Sequence, residues 1–213
     1  MVAGALTRLT TGNASAMKIG FLASHGGSNM QAIIDACKAG SLDAEPVVVI
    51  SNNGSSRALE RAGEEGIPGL HLSAKVVGDE DRLDDAILEA LTSRGVDVVV
   101  LAGYMRKIGP RVLEHYKGRI LNIHPALLPK FGGQGMFGMN VHRAVVEAGE
   151  TESGATIHVV DADYDTGPVL AQAKVPVKPG DTAEDVAARV LKVEHQLFSE
   201  TLQKIVEGEI SLP

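Results

Sequence analysis

Aromatic side chains are nearly missing from this chain of 213 residues: there is no Trp, and Phe and Tyr together make up only 3%. The interior must therefore be aliphatic, drawn from Val, Ile, Leu and Ala. Cysteine occurs once, at Cys37, which excludes an intrachain disulfide and fits a reducing compartment. Cys37 sits on the apolar face of a helical stretch and reads as a small core residue, not a nucleophile. No apolar run approaches the ~18 residues a bilayer span needs. Residues 1–16 hold Arg8 and small polar residues without the compact apolar stretch of a secretory signal. They read as a disordered extension ahead of one folded domain over 17–213. Positive charge is also in deficit, with 20 Lys and Arg against 27 Asp and Glu and a formal net charge of -7. General nucleic-acid binding needs the opposite balance. No Cys cluster and no His-Glu-x-x-His occurs, so no metal is expected. What remains is a cytoplasmic protein, monomer or homodimer, that handles small molecules. Net acidity does not prevent it from holding a small anion on backbone N–H groups.

An apolar content of 44% with 22% charged residues is ordinary for a globular chain. Short apolar runs alternate with segments of helical period. The runs predict strands over 18–23, 46–50, 69–72, 97–101, 119–123, 156–160 and 169–175. The periodic segments predict helices over 28–39, 55–65, 79–94, 110–116, 141–148 and 182–206, the last opened by a Thr182-x-x-Asp185 capping box. This order implies an α/β fold: a doubly wound, mostly parallel sheet with helices on both faces. In such a sheet a ligand sits beyond the carboxyl ends of the strands, where strand order reverses.

Four segments carry candidate chemistry. Asn122-Ile123-His124-Pro125 puts an amide and an imidazole two residues apart at a strand end, so both project from one face. An amide can hold a developing oxyanion while the imidazole moves protons, which suits acyl-type transfer; alone, the pair can also be a polar strand end. Ser24-His25-Gly26-Gly27-Ser28-Asn29 joins a strand to a helix and reads equally as a nest for one phosphate monoester or as an ordinary turn capped by Ser28. It is neither a dinucleotide nor a triphosphate motif. Asp161-Ala162-Asp163-Tyr164-Asp165-Thr166-Gly167-Pro168 lacks the context of a calcium loop, and its turn can aim Asp165 back toward His124. Leu101-Ala102-Gly103-Tyr104-Met105-Arg106 offers a flat apolar surface for a planar heterocycle, or a turn packed on its own core. His158, alternating within a strand, reads as structural.

Together these segments, with Leu121 to Pro129 and Glu194-His195, resemble the phosphoribosylglycinamide formyltransferases, the glycinamide ribonucleotide transformylases of purine synthesis, over residues 17 to about 208. The resemblance implies a Rossmann-like formyltransferase fold. It also implies transfer of a formyl group from 10-formyltetrahydrofolate to the amine of glycinamide ribonucleotide. Asn122, His124 and Asp165 fall on the family's catalytic positions. Gly27, Ser28 and Asn29 match its phosphate loop, and Glu194 the residue that grips the ribose. Tyr104, Met105 and Arg106, with Asn122 and Asp161, match its folate pocket. Two departures stand out. Residues 131–142 are longer and richer in glycine than the family's Pro-Gly-x-x-x-His link, leaving His142 as the counterpart of that histidine. The family's phosphate-side arginine has no match in register, although Arg82 lies close. Two rivals remain: another 10-formyltetrahydrofolate enzyme, such as a formyl hydrolase or a sugar-nucleotide formyltransferase, and a non-enzymatic folate- or nucleotide-binding regulator on the same fold.

Overall fold

The computed structural model describes residues 16–213, so all but the last residue of the extension expected over residues 1–16 lies outside the described residues. Seven strands and seven helices follow in the order β1 (Met17–Ala23), α1 (Ser28–Lys38), β2 (Ala44–Ser51), α2 (Arg57–Glu64), β3 (Gly69–His71), α3 (Ala74–Val77), α4 (Glu80–Thr92), β4 (Val98–Leu101), α5 (Pro110–His115), β5 (Ile120–His124), α6 (Met139–Glu147), β6 (Glu152–Val159), β7 (Val169–Pro176) and α7 (Ala183–Val206). The strands form one sheet in the order β3-β2-β1-β4-β5-β6-β7. Pairing is parallel from β3 through to β5, while β6 and β7 run antiparallel at one side.

Period-two alternation builds two cores, one on each face of the sheet. Phe21 and Val100 point into a core closed by α1 and α7 through Met30, Ile33, Val190 and Phe198. Their chain neighbours Leu22, Val99 and Leu101 point the other way, against Leu83, Ile87 and Leu91 of α4, Val112 of α5 and Tyr116 just after it. Ile120 faces the second core and Leu121 the first. The next even positions, Asn122 and His124, therefore leave the sheet on the side of Ile120, beyond its apolar part.

Most expected elements are present with ends shifted by a residue or two. The four-residue helix α3 was not expected, because Ala74–Val77 is too short to show a period. Strand β6 begins at Glu152, four residues before the expected start. Glu152-Ser153-Gly154-Ala155 has little intrinsic strand preference, and its pairing with Ala173 to Pro176 of β7 supplies what propensity does not. The capping box on α7 forms in both directions between Thr182 and Asp185. Among the described residues no helix is long and apolar enough to cross a membrane.

The chain runs outward from β1 to β2 and β3, then returns to place β4 on the other side of β1. Strand order thus reverses between β1 and β4, and the crevice above their carboxyl ends is where the rule for open parallel sheets places a ligand.

Candidate active site

A cleft of about 690 Å³ opens at that crevice, lined by the loops after β1, β4 and β5 and by one side of α7. His124 ends β5 and is 3% exposed. Its Nε2 donates to the Phe131 carbonyl at 2.7 Å, and because a carbonyl only accepts, that nitrogen carries a proton. Its Nδ1 faces Asp165 Oδ2 at 3.5 Å. Burial holds the His124 pKa below the ordinary histidine value, against opposing pulls from the Asp165 charge and the Phe131 carbonyl. Asp165 also accepts from the Gly133 N–H at 2.9 Å. Burial works against its charge, but His158, the Gly133 bond and His124 outweigh it, so its pKa falls below the usual carboxylate value. Phe131 and Asp165 are the two non-glycine residues with positive φ among those described, at 56° and 57°. Such backbone strain collects at functional sites, and here Phe131 bonds to one ring nitrogen of His124 while Asp165 faces the other.

His158 stands behind Asn122. Its Nδ1 lies 3.0 Å from the Val159 carbonyl and so bears a proton. In the neutral ring the Nε2 accepts from Asn122 Nδ2, 3.1 Å away; only the charged ring donates to Asp165 and so lowers its pKa. The bond from Asn122 fixes which way its amide points and leaves its second N–H uncommitted. Asp165 Oδ1 lies 3.4 Å from the same Nε2, so a protonated His158 would turn from acceptor to donor. His158 is hydrogen-bonded, as a structural residue in a strand should be, but its neighbours are two of the three candidate catalytic side chains. The cue was its register opposite Asn122 on β6, which sequence alone does not disclose. Thr156 and Gln172 escaped notice in the same way. Thr156 Oγ1 donates to the Ala126 carbonyl and accepts from Leu128 N, and Gln172 donates to Thr156 and to the Leu128 carbonyl. These bonds staple the segment after His124 to β6 and β7.

At the other end of the cleft, α1 begins at Ser28 after Gly27, whose φ of 64° is left-handed, and no side chain caps the helix. The alternative of Ser28 as N-cap is therefore not realised. The first-turn N–H groups are free of any capping side chain, the condition for an anion nest. Asn29 Nδ2 donates to Glu194 Oε2 at 2.9 Å, and Asn29 Oδ1 is buried without a partner. Burial raises the Glu194 pKa, with the Asn29 bond opposing.

Tyr104, Met105 and Arg106 follow β4 on the opposite wall. Met105 is exposed, and the buried hydroxyl of Tyr104 has no partner; burial pushes its pKa to about 12. Arg106 pairs with Glu80. The Asp161 side chain does not line the main cleft. It accepts from Thr166 Oγ1 and the Asp163 N–H and borders a side recess of about 110 Å³ shared with Asn122 and Asp165. Arg82 is exposed beside Asp79, away from the nest. His142, on α6, is buried with Nδ1 unpartnered, and burial followed by the nearby His124 lowers its pKa. The glycine-rich segment 133–138 borders the cleft, with Phe137 51% exposed at its edge.

The arrangement sets Asn122, His124 and Asp165 along one cleft with an uncapped helix start, and comparison with known proteins supplies the family. A family model described as formyl transferase matches residues 17–202. A phosphoribosylglycinamide formyltransferase of Haemophilus influenzae is 40% identical over 195 residues, covering 92% of this chain and 90% of its own length. Among solved structures, a glycinamide ribonucleotide transformylase from Symbiobacterium toebii superposes with a TM-score of 0.87 at 39% identity, covering 94% of this chain and 92% of that one. A phosphoribosylglycinamide formyltransferase from Brucella melitensis gives 0.83 at 42%, covering 93% and 100%. The chain belongs to the formyl transferase family.

Proposed function

We propose that this protein transfers the formyl group of 10-formyltetrahydrofolate to the amine of glycinamide ribonucleotide, a step of purine biosynthesis. The observation that carries the reading is the meeting of Asn122, His124 and Asp165 in one cleft with the uncapped first turn of α1. The names borne by relatives of about 40% identity support it. The ribonucleotide phosphate rests on Gly27, Ser28 and Asn29, with Glu194 toward the ribose. The folate lies along Tyr104, Met105 and Arg106, its heterocycle reaching inward toward Asn122 and the 161–165 loop. The protein works in the cytoplasm on these two small molecules, as a monomer or homodimer.

The amine attacks the formyl carbon, and the carbonyl oxygen gains negative charge. The uncommitted Asn122 N–H, aimed by His158, donates to that oxygen. His124 supplies a second donor, but its Nε2 proton is held by Phe131, so the oxyanion takes it only in exchange for that carbonyl. Asp165 receives the amine proton through water and keeps the His124 ring oriented beside it. The proton passes to the folate nitrogen as its bond to the formyl carbon breaks.

The test is turnover of 10-formyl folate by the purified protein, followed by folate absorbance, with and without glycinamide ribonucleotide. Turnover that requires the ribonucleotide is expected. Equal turnover without it would make the protein a formyl hydrolase, and turnover with an amino-sugar nucleotide in its place would make it a sugar-nucleotide formyltransferase.

A further inference from the structure

The phosphate end of the cleft is short of positive charge. The cleft walls carry two carboxylates, Asp165 and Glu194, and among the described residues a single Lys or Arg, Arg106. Arg106 follows β4 on the opposite wall and is already paired with Glu80. The first turn of α1 offers only neutral N–H dipoles, in a chain of formal net charge -7. A phosphate monoester brings a charge of about -1.5 to -2 near neutral pH.

One side chain beside the nest can supply the missing cation. His25 lines the cleft directly before Gly26 and Gly27, and it is exposed. Its backbone is pinned on both sides. Ser24, just before it, is 2% exposed, and its N–H donates to the Gly103 carbonyl at 3.1 Å. The Ser24 hydroxyl donates to Asn52 Oδ1 at 2.6 Å and accepts from the Met105 N–H at 2.8 Å. The His25 carbonyl accepts from the Ala58 N–H of α2 at 3.0 Å. A fixed backbone thus presents an imidazole that has no hydrogen-bond partner among the described residues. Next to Ala58, α2 carries Arg57, but that guanidinium is paired with Glu60 and Glu64.

We propose that His25 is a phosphate-binding residue, whose imidazolium pairs with the dianion held by Gly27, Ser28 and Asn29, so that ribonucleotide binding takes up a proton. This rests on the reading above that a ribonucleotide binds with its phosphate at α1. The other ionisable side chains on the cleft wall are Tyr104, Arg106, His124, Tyr164, Asp165 and Glu194. Of these, His124 stands at the reacting carbon and Glu194 toward the ribose. A proton taken up at either would also accompany binding of the same substrate without its phosphate, which separates their contribution from that of His25.

The experiment measures equilibrium binding of glycinamide ribonucleotide by calorimetry, with no folate present, at about pH 6.5 and about pH 8.5. Across that range a free histidine passes from half charged to neutral, while a phosphate monoester stays mostly dianionic. Glycinamide riboside, which lacks the phosphate, is the control ligand. The ribonucleotide should bind about threefold more tightly at the lower pH, the scale of one exposed charge pair, and the riboside should show no such gain. His25 is exposed, so substitutions there should fold. His25→Gln should bind the ribonucleotide with the weaker affinity at both pH values, and His25→Lys with the tighter affinity at both. The proposal is overturned by a ribonucleotide affinity that is level with pH, by a gain that the riboside shares in full, or by one that persists in His25→Gln. The parent reading fails separately, and takes the role of His25 with it, if the unaltered protein binds no ribonucleotide at either pH.

Discussion

Three candidate catalytic side chains and one less obvious neighbour meet at the cleft. Asn122, His124 and Asp165 were legible because their types and spacing mean something without a structure: an amide and an imidazole at period two, and an acid in a forced turn. His158 was not, because its role comes from lying opposite Asn122 across an antiparallel pair. Removing the Asn122 amide should lower kcat on the order of 10²-fold or more with little change in substrate affinity, the mark of a donor that matters in the transition state. His158→Ala should also lower kcat, by less, because the donor stays and only its aim is lost. Steady-state kinetics on both variants checks this; an unchanged kcat in His158→Ala would return that residue to a purely structural role.

Among the elements, the strands and helices were readable where aliphatic runs and helical period are strong, as in β4 and α7. They were less so where pairing does the work of propensity, as at the start of β6. The strand-to-helix turn at Gly27 shows how the structure sharpens an expectation. Its left-handed φ costs any other L-residue roughly 1–2 kcal/mol, and an added Cβ would fall 2.9 Å from the Cβ of Ala58. Gly27→Ala should therefore lower thermal stability as well as raise KM for the ribonucleotide, while folate KM holds. Thermal melts and kinetics with each substrate varied in turn would show it. A rise confined to folate KM would mean the two ends of the cleft are assigned in reverse. The 131–138 segment belongs to this scale too. Amide hydrogen exchange on residues 131–140 that is the same with and without both substrates would mark it as a static loop, and a difference would mark it as a lid, with Phe137, 51% exposed at the cleft edge, as a side chain placed to dock.

For the molecule as a whole, two buried histidines and one half-buried one bear on how stability responds to acid. His124, His142 and His195 are all held below the ordinary histidine pKa, burial being the largest cause in each. The unfolded chain then takes up protons near pH 6.5 more readily than the folded one, so stability is full above that value and is lost as pH falls through the lower folded values. Asp165 acts in the same direction further down, and Glu194, whose pKa is raised, acts in the opposite one. Tm should therefore drop between neutral pH and about pH 5.5, and His195→Gln should flatten part of that slope; a Tm that is level across the range would show that burial does not govern these rings. The bond from His124 to the Phe131 carbonyl reaches beyond the site in a related way. Because it ties a titrating ring to the glycine-rich segment, any displacement of residues 131–138 and the charge on His124 are linked. Whatever draws the segment away changes the ring's hold on its proton by the same free energy with which that proton changes the ring's hold on the segment. A pH–rate profile of this enzyme is, to that extent, a record of where its loop stands.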